Sequence, residues 1–474
     1  MASLRSFSGS VLPGDSTFHE GTSKVCSLPQ KYTTNSVKIN SYPEINISRE
    51  IYNSHISRQD HLILPVQEPF VKQLARTFFD EGVKSSLNLL KDSNLSLFSQ
   101  LSNGILKIMN YGNRIKMFFN PHLREIGIEN YENFSQVRQW KNATVRFLAF
   151  HPQCFKIAIA SVDDTIRIYT NDENSIVPLL KNSQQKSIFT LAWRPFSPST
   201  LVVGCQNGIL IWTIDPSSNI SRPLSSAVHY RHENHFPVTS VEFNHNGSLL
   251  ATASLKDTSI LIWNIDKMSC TPLKKTSIPF LNLQWSMNGS YIFTSTVGNV
   301  FRVWNCDTWK SDRWTVANGH VQSFQWSPCG KFLLFVTSED PVLYSLGFAD
   351  EPIFNENSKK IQQPQRALPV ADLSQIEIEH SELGGVAQQL AWNGKYLGVS
   401  FKTTNSIAIF QTTIRQHQLH ILPMFFINGM GTEFPTFITF QPSYKNSLSH
   451  RAENVLTIAW SSGRIEFYSN NLFN

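Results

Sequence analysis

The chain has 474 residues, 41% hydrophobic and only 16% charged, against a usual charged share of about 25%, so Ser, Thr, Asn and Gln must cover much of its surface. That length buries a substantial core and excludes disorder throughout, allowing about two to four ordinary domains or one large all-β domain with an appendage. Forty-one Lys+Arg against thirty-five Asp+Glu leave +6, too mild and too dispersed for a dedicated nucleic-acid binder.

Six cysteines (Cys26, Cys154, Cys205, Cys270, Cys306, Cys329) contain no C-x-x-C pair, so neither a zinc site nor a disulfide framework is indicated and a reducing compartment fits. Met1 to Gly14 holds one Arg and no apolar stretch of signal-peptide length, and nowhere do 18 apolar residues run unbroken. The expectation is a protein outside the secretory pathway with no membrane span of its own.

Residues 1–64 are rich in Ser, Thr and Asn with few clustered apolar side chains, and read as a polar, partly extended leader. Residues 65–135 read as an α-helical extension. Phe70, Leu74 and Phe78 fall at four-residue intervals with Val71 and Ala75 beside them, and Leu97, Leu101, Ile105 and Ile108 repeat that spacing, which predicts two amphipathic helices. Their apolar faces either pack on the main domain or offer a docking surface to a partner.

After Trp140 a different unit returns. Val145-Arg-Phe-Leu-Ala-Phe150-His-Pro152 is answered by Ile188-Phe-Thr-Leu-Ala-Trp193-Arg-Pro195 and then by five further copies. Their anchoring aromatics are Phe150, Trp193, Phe243, Trp285, Trp326, Trp392 and Phe440, spaced by 43, 50, 42, 41, 66 and 48 residues. A second aromatic closes a later β-rich run in most copies, as in Ile209-Leu-Ile-Trp212 and Phe301-Arg-Val-Trp304, with a third strand between the two. Three strands per copy, a variable fourth and a period of about 40–45 residues predict an all-β, seven-bladed β-propeller over residues 136–474. One such sheet is apolar on both faces and stays dry only between neighbours, so the aromatic columns read as core.

These modules resemble WD repeats. Gly319-His320 matches the Gly-His dipeptide of that family and Asn234-His235 is a close variant; Asp257 stands six residues before Trp263, and Asp163 repeats that spacing before Tyr169. The resemblance implies a buried hydrogen-bonded set of His235, Ser254, Asp257 and Trp263. Other copies depart from it, with Gln206 and Gly298 at the aspartate position.

The seventh copy ends one strand short. The resemblance implies that an upstream segment supplies the missing strand, and Gln136-Val-Arg-Gln-Trp140 lies in the nearer place; a leader segment such as Ser36-Val-Lys-Ile-Asn40 is the second candidate. Closure of this kind removes open sheet edges.

A narrower resemblance rests on Phe119-Asn-Pro-His-Leu123, Phe134-Ser-Gln-Val-Arg-Gln-Trp140, Ser175-Ile-Val-Pro-Leu-Leu180, Val370-Ala-Asp-Leu-Ser374 and Trp460-Ser-Ser-Gly-Arg-Ile465, which follow one another along the chain and include loops. Together they resemble the aladin family of WD-repeat nucleoporins. That resemblance implies a non-enzymatic scaffold of the nuclear pore complex, held at the nuclear envelope through a transmembrane nucleoporin of the pore membrane ring and touching other nucleoporins. It also implies support of nucleocytoplasmic transport of protein and mRNA, a role at the mitotic spindle or its poles, and room for a cytoplasmic pool. The alternative is a generic WD-repeat adaptor such as a ubiquitin-ligase substrate receptor.

No Gly-x-Ser-x-Gly elbow, phosphate-cradling Gly-rich loop or His-Glu-x-x-His pair occurs, so no catalytic, cofactor-binding or metal-binding residue is assigned. The run His229-Tyr-Arg-His232-Glu-Asn-His235 precedes a strand and lacks the helical face a metal site would use. Residues 348–368, polar and rich in Asn, Gln and Lys, read as an extruded loop or partner-binding arm.

Overall fold

A computed structural model describes residues 2–4, 11–12, 42, 45–47, 86–87, 90–91, 100, 104–105 and 128–468, apart from 171–176, 215–226, 268, 275, 277, 349–366, 379–380, 416–417 and 443–454. It divides into a unit made of residues 1–48 and 127–474 and a second made of 49–126. In the second unit the described residues 86–87, 90–91, 100 and 104–105 have helical backbone; of the positions named for the two expected helices only Ile105 is among them, and Phe70, Leu74, Phe78, Leu97, Leu101 and Ile108 lie outside the described residues.

The first unit is a seven-bladed propeller of antiparallel sheets. Blade 1 runs Val145–Phe150, Lys156–Ser161, Ile166–Thr170 and Leu179–Leu180 from axis to rim, and blade 3 runs Val238–Phe243, Leu250–Ser254, Ser259–Asn264 and Ser269–Lys274. Blades 2 and 4 begin at Thr190–Trp193 and Phe280–Trp285, and blades 5, 6 and 7 at Val321–Trp326, Ala387–Trp392 and Pro435–Phe440. Second strands such as Phe332–Thr337 and Tyr396–Phe401 are buried at every position, because a neighbouring blade covers each face. Outer strands such as Ser269–Lys274 are mostly exposed.

Six of the seven anchors fill the wedge between their own blade and the one before. Trp193 packs in the cluster shared by blades 1 and 2, Phe243 in that of blades 2 and 3, and Trp285 in that of blades 3 and 4. Trp326, Trp392 and Phe440 repeat the arrangement at the next three junctions. Polar contacts accompany the packing: the indole N–H of Trp193 donates to the carbonyl of Ala149 at 3.0 Å, and Trp285 and Trp326 donate to Glu242 and Gln284 at 3.3 Å.

The leader, not the segment before blade 1, completes the ring. Strand β3 (Ile45–Asn46) lies antiparallel beside Arg464–Tyr468 as the outer strand of blade 7, with Ile45 opposite Ile465. Tyr42 sits between Phe467 of blade 7 and Phe150 of blade 1, with ring centroids 5.5 and 5.8 Å away. The backbone N–H of Ile47 donates to the Gly463 carbonyl at 3.0 Å. A side chain at Gly463, where φ is +96°, would collide with the Ile47 carbonyl, so glycine is required at this approach. Gln136–Trp140 forms turns instead of the expected closing strand, since its side chains are engaged over the axis. Two more leader strands, β1 (Ala2–Ser3) and β2 (Val11–Leu12), run parallel to the outer strands of blades 5 and 6.

The long interval between the fifth and sixth anchors has two sources. One is the segment 348–368, most of which lies outside the described residues; the other is a hairpin, Ile376–Ile378 with Ser381–Leu383, that the sequence reading did not separate from it.

Candidate functional site

One structural device recurs at the start of the inner strands. In six blades the register shifts after the first residue, between Val145 and Phe147, Val238 and Ser240, Phe280 and Asn282, Val321 and Ser323, Ala387 and Gln389, and Pro435 and Phe437. A bulge re-aims the extra residue out of the ladder. The residues so placed include Arg146, Gln322 and Gln388, and all three meet a segment lying across that end of the ring.

That segment is a 3-10 helix, Ile128–Asn133, followed by turns to Trp140. The side-chain amides of Gln322 in blade 5 and Gln388 in blade 6 both donate to the carbonyl of Ser135, at 2.7 and 2.6 Å. Arg138 donates to the carbonyls of Thr404 at 2.8 Å and Thr403 at 3.2 Å, and its guanidinium lies 4.5 Å from the Phe434 ring of the loop entering blade 7. Trp140 stacks on Phe189 beside blade 2 at 5.0 Å with planes 7° apart, and the Arg146 guanidinium covers it at 4.4 Å. Phe134 meets the His320 ring at 4.9 Å. The segment is therefore a cap tied to blades 1, 2, 5, 6 and 7. Tyr131 and Trp140 are 5% and 3% exposed and Ser135 and Val137 are buried with them, while Asn130, Asn133 and Gln139 face outward, so the cap buries one side against the ring. Burial pushes the Tyr131 phenol well above its usual range and lowers the Arg138 guanidinium from its own.

The repeat residues form one connected chain, in blade 3. His235 Nδ1 lies 2.7 Å from Asp257 Oδ2, and its Nε2 lies 2.8 Å from Thr252 Oγ1, which also accepts the Trp263 indole N–H at 3.0 Å. The consistent direction runs from Trp263 through the Thr252 hydroxyl to His235 and on to Asp257. Ser254 stands outside it and accepts the Lys256 N–H at 3.3 Å. The expected serine is replaced by Thr252, two residues earlier on the same strand face. Burial lowers the His235 imidazole. For Asp257 burial opposes ionisation, but the bonds from His235 and Ser259 outweigh it and hold the carboxyl below its usual range.

Other blades substitute. Trp212 of blade 2 donates to Gln185 Oε1 at 2.9 Å, and Trp304 of blade 4 to Thr294 Oγ1 at 3.1 Å. Asp163 accepts from the Thr165 N–H and hydroxyl in its own turn. Gly319 occupies a left-handed turn with φ +68°, and His320 after it is 8% exposed, its pKa lowered to about 4 by burial and by Lys402 nearby.

Between blades 3 and 4, Glu242 Oε2 accepts the Trp285 backbone N–H at 2.6 Å, and burial pushes its carboxyl up to about 8. An acid whose oxygen is bonded to an anchor's backbone N–H serves to join blades 3 and 4. Of the three spaced histidines, His229 faces the Asn207 carbonyl, His232 the Glu233 carbonyl and His235 its repeat partners. Among the described residues no three His, Cys, Asp or Glu side chains converge as a metal site would require, and no helix is long and apolar enough to cross a membrane.

A family model for the aladin seven-bladed propeller matches residues 126–470, which takes in the cap and all seven blades. The chain belongs to the aladin family. Aladin from Arabidopsis thaliana is 25% identical over 331 residues, covering 63% of this chain and 69% of the plant protein. A chromatin assembly factor 1 subunit FAS2 homolog from Oryza sativa is 26% identical over a shorter stretch, 33% of this chain and 32% of its own length. The β-propeller domain of Cps50 (Swd1) from Myceliophteria thermophila superposes with a TM-score of 0.50 at 17% identity, over 69% of this chain and 96% of that domain. That likeness concerns the fold. For an aladin-family member the cap is part of the propeller unit, since the match begins before Ile128.

Proposed function

We propose that this chain is a non-enzymatic scaffold nucleoporin, held at the nuclear envelope through a transmembrane nucleoporin and supporting nucleocytoplasmic transport. The observation that carries this reading is the aladin-family match across residues 126–470, cap included. The side chains support it. The Arg138 guanidinium and the Ser135 carbonyl of the cap are spent on Thr403, Thr404, Gln322 and Gln388, and Glu242 is spent on the Trp285 N–H, so these groups hold the ring and leave its outside for partners. The same reading extends to the residue roles: the seven anchors and the His235 chain are structural. The leader, the helical extension and the propeller are the three parts by which such a scaffold holds neighbouring nucleoporins. A role at the spindle and a cytoplasmic pool belong to the same proposal.

The test is localisation of the full-length tagged chain in its own cell, with and without the transmembrane nucleoporins of the pore ring. A nuclear-rim signal that disperses when one of them is depleted supports the proposal. A diffuse signal that ignores their depletion overturns it in favour of a generic WD-repeat adaptor.

A further inference from the structure

Ring closure needs only one leader strand, yet three are built. Blades 1 to 4 are complete with four strands, and β3 gives blade 7 its fourth. Strands β1 and β2 are fifth strands on blades that already have four. Ala2 pairs with Ala371 and Ser3 with Asp372, while Val11 pairs with Phe426 and Leu12 with Ile427, each a parallel ladder of two residues.

Just past β1 the chain fills a socket. Leu4 is 1% exposed and belongs to the cluster holding Ala371, Leu373 and Leu383 at the junction of blades 5 and 6. The hairpin Ile376–Ile378 with Ser381–Leu383 builds one wall; the corresponding links Lys274 to Phe280 and Thr315 to Val321 contain no strand among the described residues. Gly384, with φ +86°, makes the opening, because a Cβ there would overlap Leu4 Cδ1. On the hairpin's outside Glu377 and Glu382 are exposed, and in the sequence Leu4 is followed by Arg5.

We propose that the outer edge of blade 5 and its leucine socket form a strand-addition site for a protein partner, and that residues 1–12 are a strap occupying it in cis. The occupant is an extended segment of the form small residue–Ser–Leu followed by Arg or Lys. Its backbone extends the ladder on Leu368–Asp372, its leucine enters the socket and its cation faces Glu377 and Glu382. Strand addition takes affinity from main-chain bonds and specificity from a side-chain pocket, and this seat supplies both. Among its described residues the strap is held by two short parallel ladders, the socketed Leu4 and the packing of Ala2 on the same cluster. Residues 13–44 separate it from β3; extended, they reach about 100 Å, far beyond what neighbouring sheets packed about 10 Å apart require. The strap leaves without disturbing closure, so a partner competes with a tethered ligand, which lowers its apparent affinity by the fraction of seats occupied in cis.

The test uses the full-length chain and a fluorescein-labelled synthetic peptide of residues 1–12, read by anisotropy. Leu4→Asp in the protein weakens the strap, and the peptide then binds at least 10-fold tighter than to the unsubstituted protein. The same peptide carrying Leu4→Asp does not bind. Glu377→Lys with Glu382→Lys, both on the surface, weakens peptide binding to the Leu4→Asp protein at least 3-fold. Equal binding to both proteins, or none to the Leu4→Asp protein, overturns the proposal. So does loss of cooperative unfolding in both Leu4→Asp and the milder Leu4→Ala, since Leu4 would then belong to closure.

Discussion

Tyr42 lies almost parallel to Phe467, ring centroids 5.5 Å apart and planes 22° from each other, at the junction where the ring's first and last blades meet. The two residues stand over 400 positions apart in sequence, and the contact is made only when the ring shuts. Tyr42→Ala should therefore destabilise the propeller as a whole by about 2 kcal/mol, less than the ~3–5 kcal/mol of a fully buried aromatic because Tyr42 is half-buried. Urea unfolding followed by tryptophan fluorescence should show one transition at a lower midpoint. An unchanged midpoint would mean that the blade 7 to blade 1 junction is held without the leader.

Gly463 makes the complementary test, because it acts through the backbone. Its φ of +96° and the Ile47 carbonyl against it leave no room for a methyl group. Gly463→Ala should cost about 1–3 kcal/mol and should raise hydrogen exchange at Ile47, whose N–H is bonded to the Gly463 carbonyl. Normal protection at Ile47 in the variant would sink this account of β3.

The blade 3 chain separates Thr252 from Ser254. Thr252→Val leaves the buried His235 Nε2 and the part-buried Trp263 indole N–H without their oxygen, at about 1–3 kcal/mol for the buried group left unpaired and less for the other. Ser254→Ala removes one 3.3 Å contact and should cost under about 1 kcal/mol. Paired thermal melts decide it, and a larger loss from Ser254→Ala would restore the sequence-based assignment.

How far the sequence reached depended on whether a feature recurs. The anchors Trp193, Trp285 and Trp326 were legible because a wedge between two sheets must be filled the same way at every junction, which writes a period of about 40 residues into the chain. Thr252 and Ser254 differ by two positions on one strand, so spacing alone could not choose between them. Closure was legible as a need, since the seventh copy closes on Arg464-Ile-Glu-Phe467 one strand short of the repeat, but not as a donor. A ladder of two residues at Ile45–Asn46 carries no periodic signal, whereas Gln136–Trp140 stood in the nearer place just upstream of the first copy and is held in turns, with Arg138 bonded to the Thr404 carbonyl and the adjoining Ser135 carbonyl bonded by Gln322 and Gln388. The bulges that aim those glutamines appear in no residue pattern.

The cap should detach locally when its central acceptor is left bare. Gln322→Leu with Gln388→Leu removes both donors to the Ser135 carbonyl, a loss of about 1–3 kcal/mol. Hydrogen exchange should rise across residues 128–140 while inner-strand amides such as Leu283 and Leu390 stay protected. Uniform loss of protection over all blades would show that the cap is not a separable element.

His320 and Glu242 give stability opposite slopes with pH, and their windows differ. His320 has a folded pKa of about 4, below the unfolded value of about 6.5, so the unfolded chain binds the extra proton and stability is lost as pH falls from about 6.5 toward 4. Glu242 has a folded pKa of about 8, above an unfolded value of about 4.3; the folded chain keeps the proton, so stability is lost as pH rises from that value through about 8. Below about 6.5 the two oppose each other, and between about 6.5 and 8 Glu242 acts without His320. Melting temperatures of the unsubstituted protein should fall over that upper window, and Glu242→Gln should flatten the fall while the acid-side loss from His320 persists. If Glu242→Gln leaves the alkaline slope as it was, the carboxyl is ionised in the folded ring and its bond to the Trp285 N–H is that of a carboxylate.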